Sequence, residues 1–242
     1  MLALFIYVGI EVSIGSNLGE LLAQAEFGKL QSSEITPYIS MYWGGMMIGR
    51  WAGAISAFQL TKMTKQILLI FVPLIAYAII IGVNSLAGYD MSHLYLFICC
   101  VAIQIVAFYI SKEKPARTLL IFGTFGLVAT VIGLFTTSTI AIYAFLAGGL
   151  ACSIMWGSIF SLAVVGLGKF TEQGSAFLVM MILGGGIFPP IQGKLADIIG
   201  VHNSYILPLL GFCYIILFAI LVRKFLKKQG INIDEIEAEA SH

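Results

Sequence analysis

Charged side chains are scarce in this chain: 10% of its 242 residues are Asp, Glu, Lys or Arg, against 60% hydrophobic. A soluble domain carries about 25% charged and about 45–50% apolar residues, so a water-soluble globule is excluded. Cysteine occurs four times and histidine three, with no CxxC pair and no His/Cys cluster. That removes a zinc site and a disulfide framework, and no metal is expected. Cys99, Cys100, Cys152 and Cys213 all sit in apolar runs and read as buried small hydrophobes. No basic stripe is interleaved with aromatics, so nothing supports nucleic acid as a partner. GxSxG, GxxxxGK[ST] and HExxH are absent, and the glycine runs follow apolar helices rather than strands, so dinucleotide and soluble-enzyme readings fail and no cofactor is expected. A membrane-embedded sugar-lipid enzyme with Glu11 as base would want acids or histidines gathered at one membrane surface, and that cluster is missing. No basic segment precedes the first apolar run, which carries Glu11 where a signal peptide's core would be bare; the opening reads as the middle of a longer protein.

What is present is length of apolar sequence. A helical span takes about 17–25 residues, and eight runs qualify: 2–24, 38–60, 67–86, 94–110, 118–135, 140–168, 175–196 and 205–225. The fold expected is an all-α polytopic membrane helical bundle of about eight transmembrane helices over 1–228. An acidic, water-facing tail follows at 229–242, with Asp234, Glu235, Glu237 and Glu239. The glycine-rich stretch 147–190 organises the second half of the chain. It hinges at 169–173 and ends in Gly184, Gly185 and Gly186 before Pro189 and Pro190. Glycine- and proline-interrupted pairs of this kind are where secondary transporters bend helices around a substrate path, and the long sixth run has room to tilt or to kink around Gly157.

Basic residues set the orientation. Lys62 and Lys65, then Lys112, Lys114 and Arg117, then Lys169, then Arg223, Lys224, Lys227 and Lys228 follow the second, fourth, sixth and eighth runs. Eight spans put them all at one end, with Glu26, Glu34, Asp90 and Asp197 at the other, where Lys29 is a basic exception and Lys194 stands near the end of the seventh run. Both termini are therefore expected in the cytoplasm.

Polar residues inside apolar runs are functional candidates. Glu11 is the sharpest, at mid-span, with Tyr7, Gly15 and Leu18 on its helical face and Ser13, Asn17, Glu20 and Gln24 opposite. Two readings stay open: a cavity-lining carboxylate that holds substrate hydroxyls or couples protons, and a paired interhelical tie. Arg50 stands beside a glycine ridge of Gly45, Gly49 and Gly53, a close-packing surface, and is read as structural, pinning a partner helix. Trp43 and Trp51 fit an interfacial belt. Trp156 lies away from either interface and can face a pyranose ring or simply pack. Gln104 is expected to make a packing hydrogen bond, and His93 and His202 to lie at the surface.

The stretches FIYVGIEVSIGSNL, YWGGMMIGRWAGA and SIMWGSIFSLAVVGLGKFTEQGSAFLVMMILGGGIFPPIQGKLADIIG resemble the carboxy-terminal half of bacterial sugar transporters, in the fucose/proton symporter and glucose/galactose transporter branch of the major facilitator superfamily. The resemblance runs through most of 2–226. It implies secondary active, proton-coupled uptake of a hexose-type sugar (fucose, glucose or galactose) across the bacterial inner membrane, by alternating access between two six-helix halves. Tyr7, Glu11, Asn17, Met155, Trp156 and Ser158 would then contact substrate. Arg50, Gly49, Gly157, Gly185, Pro189 and Asp197 would be structural or gating residues. Gly157 stands where the family places proline, and 94–135 reads as a helix pair beyond the six of one half. The amino-terminal half is the partner implied besides sugar and lipid, so this chain alone is expected to be transport-incompetent. A non-transporting sensor or accessory subunit on the same scaffold is the alternative.

Overall fold

The computed structural model describes residues 1–112 and 114–228 as eight helical passes, with no strand among the described residues. The expected acidic tail at 229–242 lies outside them. The first three passes are α1 (Leu2–Leu22), α2 (Ser32–Ala54) and α3 (Lys62–Leu86). A 3-10 segment (Ser92–Phe97) leads into α4 (Ile98–Ser111), and α5 (Pro115–Phe135) follows. The sixth pass is broken into α6 (Ser138–Cys152) and α7 (Met155–Val164), and the seventh into α8 (Thr171–Met180) and α9 (Gly184–Ile199). A short α10 (Val201–Ser204) turns into α11 (Ile206–Lys228).

Local chemistry explains several boundaries. Gln31 and Glu34 close a reciprocal capping box that starts α2, with the Gln31 N–H donating to the Glu34 carboxylate at 2.8 Å. This moves the helix start to residue 32, earlier than the apolar run suggests. The Thr61 hydroxyl accepts from the Thr64 N–H at the start of α3, and Pro115 opens α5 at a position where a missing N–H costs nothing. Seven of the eight passes are long and apolar enough to cross a membrane; the exception is α2, which carries Glu34 and Arg50.

Long-range contacts show how the ends alternate. The His202 ring meets the Gly133 carbonyl at 2.8 Å and the Glu26 carboxylate at 3.8 Å, and the Tyr143 hydroxyl donates to the His93 carbonyl. Residues 26, 93, 133, 143 and 202 therefore share one end. The opposite end gathers Ser56, Ser111, Pro115, Thr118 and Ser161 around one cavity, beside the connections that hold Lys62, Lys65, Lys112, Lys114 and Arg117. The charge asymmetry seen in the sequence thus maps onto two ends of one bundle.

α1 runs through the centre, 67% enclosed. It packs against α9, α11, α6 and α2, while α5 lies along α6 and α11. α3 packs mainly on α2 and α4 and is only 22% enclosed. The two members of the expected extra pair at 94–135 are therefore placed differently: α5 is integral to the bundle and α4 flanks it.

One expectation is made specific and two are corrected. The kink of the sixth pass is a break at Ser153–Ile154, one turn before Gly157, which itself lies inside α7. There the Ser153 hydroxyl turns back onto the Leu150 carbonyl at 2.6 Å, a local bond that competes with helix continuation. His202 is not a surface residue. Its ring is packed edge-on against Phe27 and Phe145, because α10 folds back over the α5–α6 connection. Of the cysteines, Cys152 is buried, whereas Cys99 and Cys213 are exposed on the outside of α4 and α11.

Candidate functional site

The central helix places Tyr7 and Glu11 one turn apart on one face. The Glu11 carboxylate receives a hydrogen bond from Arg50 Nη2 at 2.6 Å, an ion pair across α1 and α2. The carboxylate side is nearly enclosed, with 10% side-chain exposure, while the Arg50 side chain is 55% exposed. Glu11 is thus paired between helices, with Arg50 as its partner. The exposed flank of the guanidinium leaves the pair reachable from outside the bundle.

The backbone under the pair is fixed as well. The Tyr42 hydroxyl donates to the Glu11 carbonyl at 2.7 Å, and Met46 Sδ lies 3.9 Å from Arg50 Nη2. Tyr42, Met46 and Arg50 form an i, i+4, i+8 stripe on α2 that holds α1 in register. Sequence reasoning singled out the neighbouring glycine ridge and missed this stripe, although its spacing was visible. The ridge itself behaves as expected: a β-carbon on Gly49 would collide with Ser153 and Gln104, and one on Gly53 with Ile154. Gln104 is fully buried and donates to the Leu150 carbonyl (3.1 Å) and to Ser153 Oγ (3.0 Å), a packing role.

Tyr7 is completely buried, with its hydroxyl set against the Glu11–Arg50 pair. The Trp156 ring stands 6.4 Å from the Tyr7 ring, tilted, and is partly exposed. Tyr7, Glu11, Arg50 and Trp156 thus converge from α1, α2 and α7: two hydrogen-bonding groups, a fixed cation and a large aromatic face. This set can bind a neutral polyhydroxy compound, since the charges are already matched and the ring offers an apolar platform.

The other site candidates separate from this cluster. Asn17 is buried and spends its amide on the Ser13 carbonyl at 3.0 Å. Met155 is buried in the core. Ser158 donates to the Ile154 carbonyl and lines the cavity at the basic end. Gly157 has open space where a β-carbon would stand, so it permits no close approach in this chain. Gly185 receives Val8 and Val12 of α1, and Pro189 and Pro190 sit inside α9. Asp197 is exposed near the end of α9. Among the described residues no group of His, Cys, Asp or Glu is arranged to hold a metal ion.

No family model matches the sequence. A glucose/galactose transporter of Brucella abortus is 31% identical over 224 residues, covering 92% of this chain and 41% of the relative. The L-fucose-proton symporter of Escherichia coli is 32% identical over 111 residues, 46% of this chain and 25% of that one. The crystal structure of the E. coli fucose:proton symporter superimposes with a TM-score of 0.63 at 22% identity, over 91% of this chain and 41% of that structure; the likeness is one of fold. The chain spans about two fifths of the length of the glucose/galactose transporter.

Proposed function

Because the chain belongs to the major facilitator superfamily, in the branch of glucose/galactose transporters and fucose/proton symporters, and matches the carboxy-terminal half of that fold, we propose that it supplies one wall of a hexose pathway. The observation that carries this is the Glu11–Arg50 pair, closed at 2.6 Å yet open on its arginine flank, with Tyr7 and Trp156 beside it. The Trp156 face takes the apolar side of a pyranose. The outer N–H groups of Arg50 reach sugar hydroxyls, with the Tyr7 hydroxyl set behind them against the Glu11 carboxylate. The coupling ion is the proton, with Glu11 as a carboxylate that can accept it. A six-helix amino-terminal half forms the opposite wall, and the chain works in a bacterial inner membrane with its basic end toward the cytoplasm.

The test is uptake of radiolabelled glucose, galactose and fucose by cells lacking their own hexose carriers. They would express this chain joined to the first half of the B. abortus relative. Uptake above that of either half alone, abolished by dissipating the proton gradient and by Glu11→Gln, supports the proposal. Binding without uptake in the joined protein would overturn the transport reading in favour of a sensor.

A further inference from the structure

The cavity at the basic end of the bundle, of about 290 Å³, lies away from the Glu11 cluster. The ends of five helices meet around it, through Ser56, Leu69, Ser111, Pro115, Thr118 and Ser158. Its floor is the first turn of α5. That helix has no acidic residue in its first turn and no side-chain cap, so its leading N–H groups are left without intrahelical acceptors and its macrodipole is uncompensated.

A helix start alone marks nothing, but Thr118 points to a ligand. Its side chain lines the cavity, the residue is 4% exposed, and its hydroxyl has no partner among the described residues. Ser56, Ser111 and Ser158 turn their protons onto the Gly53, Phe108 and Ile154 carbonyls of their own segments, and each hydroxyl can rotate toward an incoming group.

The surrounding charge is positive. Lys65 and Lys62 lie four and seven residues before Leu69, on the same face of α3, and Lys112 and Arg117 adjoin the lining residues Ser111 and Thr118. In the sequence, the segments that carry these lining residues hold five basic residues, Lys114 included, and one acid, Glu113. Flanking the same end, Ile67 and Ile70 on α3 and Val106 and Ile110 on α4 present exposed apolar side chains. Donors within, cations at the mouth and an aliphatic outer flank match one amphiphile: an anionic phospholipid, phosphate inward and acyl chains outward.

We propose that this cavity seats the phosphate of an anionic phospholipid, clasping the α3–α4 flank against α2, α5 and α7. The bond donors are the Thr118 hydroxyl and the first-turn N–H groups of α5, with Lys112, Arg117 and Lys62 supplying charge.

The experiment measures the thermal transition of the purified full chain in phosphatidylcholine nanodiscs, then in discs with a rising fraction of phosphatidylglycerol, and in phosphatidylcholine discs with added inorganic phosphate. Wild-type protein is expected to gain stability with phosphatidylglycerol and little with inorganic phosphate. Thr118→Val and the double variant Lys112→Gln/Arg117→Gln should lose more than half of that gain while keeping the wild-type transition in phosphatidylcholine alone. Should Thr118→Val fail to fold, the double variant carries the test, since both of its side chains are exposed. An equal gain in wild type and double variant, or no gain at all, overturns the site. A full gain from inorganic phosphate overturns the lipid as its source.

Discussion

Glu11 and Arg50 meet at 2.6 Å with opposite exposures, the acid almost enclosed and the base more than half open. The asymmetry makes the two halves of the pair unequal under mutation. Arg50→Met leaves a carboxylate stranded between α1 and α2, and is expected to cost ~1–3 kcal/mol, below the value for a fully buried pair because water reaches the arginine. Glu11→Gln should cost less, and Glu11→Gln/Arg50→Met should be more stable than Arg50→Met alone. A double-mutant cycle on the thermal transition in detergent measures this coupling; additive effects would show that the two residues do not interact.

The glycines divide sharply. A β-carbon at Gly184 would run into the Phe5 backbone, which cannot move aside, whereas one at Gly157 meets open space. Gly184→Ala is expected to destabilise by ~1–3 kcal/mol through overpacking. Gly157→Ala should stabilise α7 by ~0.5–1 kcal/mol through lower backbone entropy in the unfolded chain. The order of their melting temperatures decides it.

Gln104 ties α4 to the break between α6 and α7. Leucine there keeps the volume and forfeits two hydrogen bonds, one of whose acceptors, the Leu150 carbonyl, is still satisfied by Ser153. Gln104→Leu should therefore cost about 1 kcal/mol. Gln104→Ala adds a cavity and should cost about 2–3 kcal/mol. Equal losses would assign the effect to the hydrogen bonds alone.

Trp156 reports on the proposed sugar site. In the protein joined to a first half, hexose addition is expected to change tryptophan emission, and Trp156→Phe should remove the change. Trp43→Phe and Trp51→Phe should preserve it, because both rings are exposed on α2 and neither joins the Tyr7 cluster. A change that survives Trp156→Phe would place the sugar elsewhere.

The passes were legible in the sequence because a bilayer demands a minimum length of apolar helix, and length is a local property. Facing was not. Between lipid and protein interior there is no polarity contrast for periodicity to record, so Cys99 and Cys213 looked as buried as Cys152. The exact place of the break was not legible because several serines share the run, and nothing local marks Ser153 as the one whose hydroxyl turns back onto the Leu150 carbonyl. His202 was misjudged because its partners Glu26, Phe27, Gly133 and Phe145 come from three other connections and helices. Glu11 and Arg50 were each visible as charges out of place, yet their pairing across 39 positions was not written in either segment.

The seventh pass has a consequence for how the chain comes apart. Its window within 168–199 is 11% covered by the rest of the chain, against 67% for α1, and Pro189 and Pro190 deprive α9 of two backbone donors. Amides of α8 and α9 should therefore exchange deuterium before those of α1 in the detergent-solubilised chain. The arm swings first, and the central rod that carries Tyr7 and Glu11 is the last part to let go.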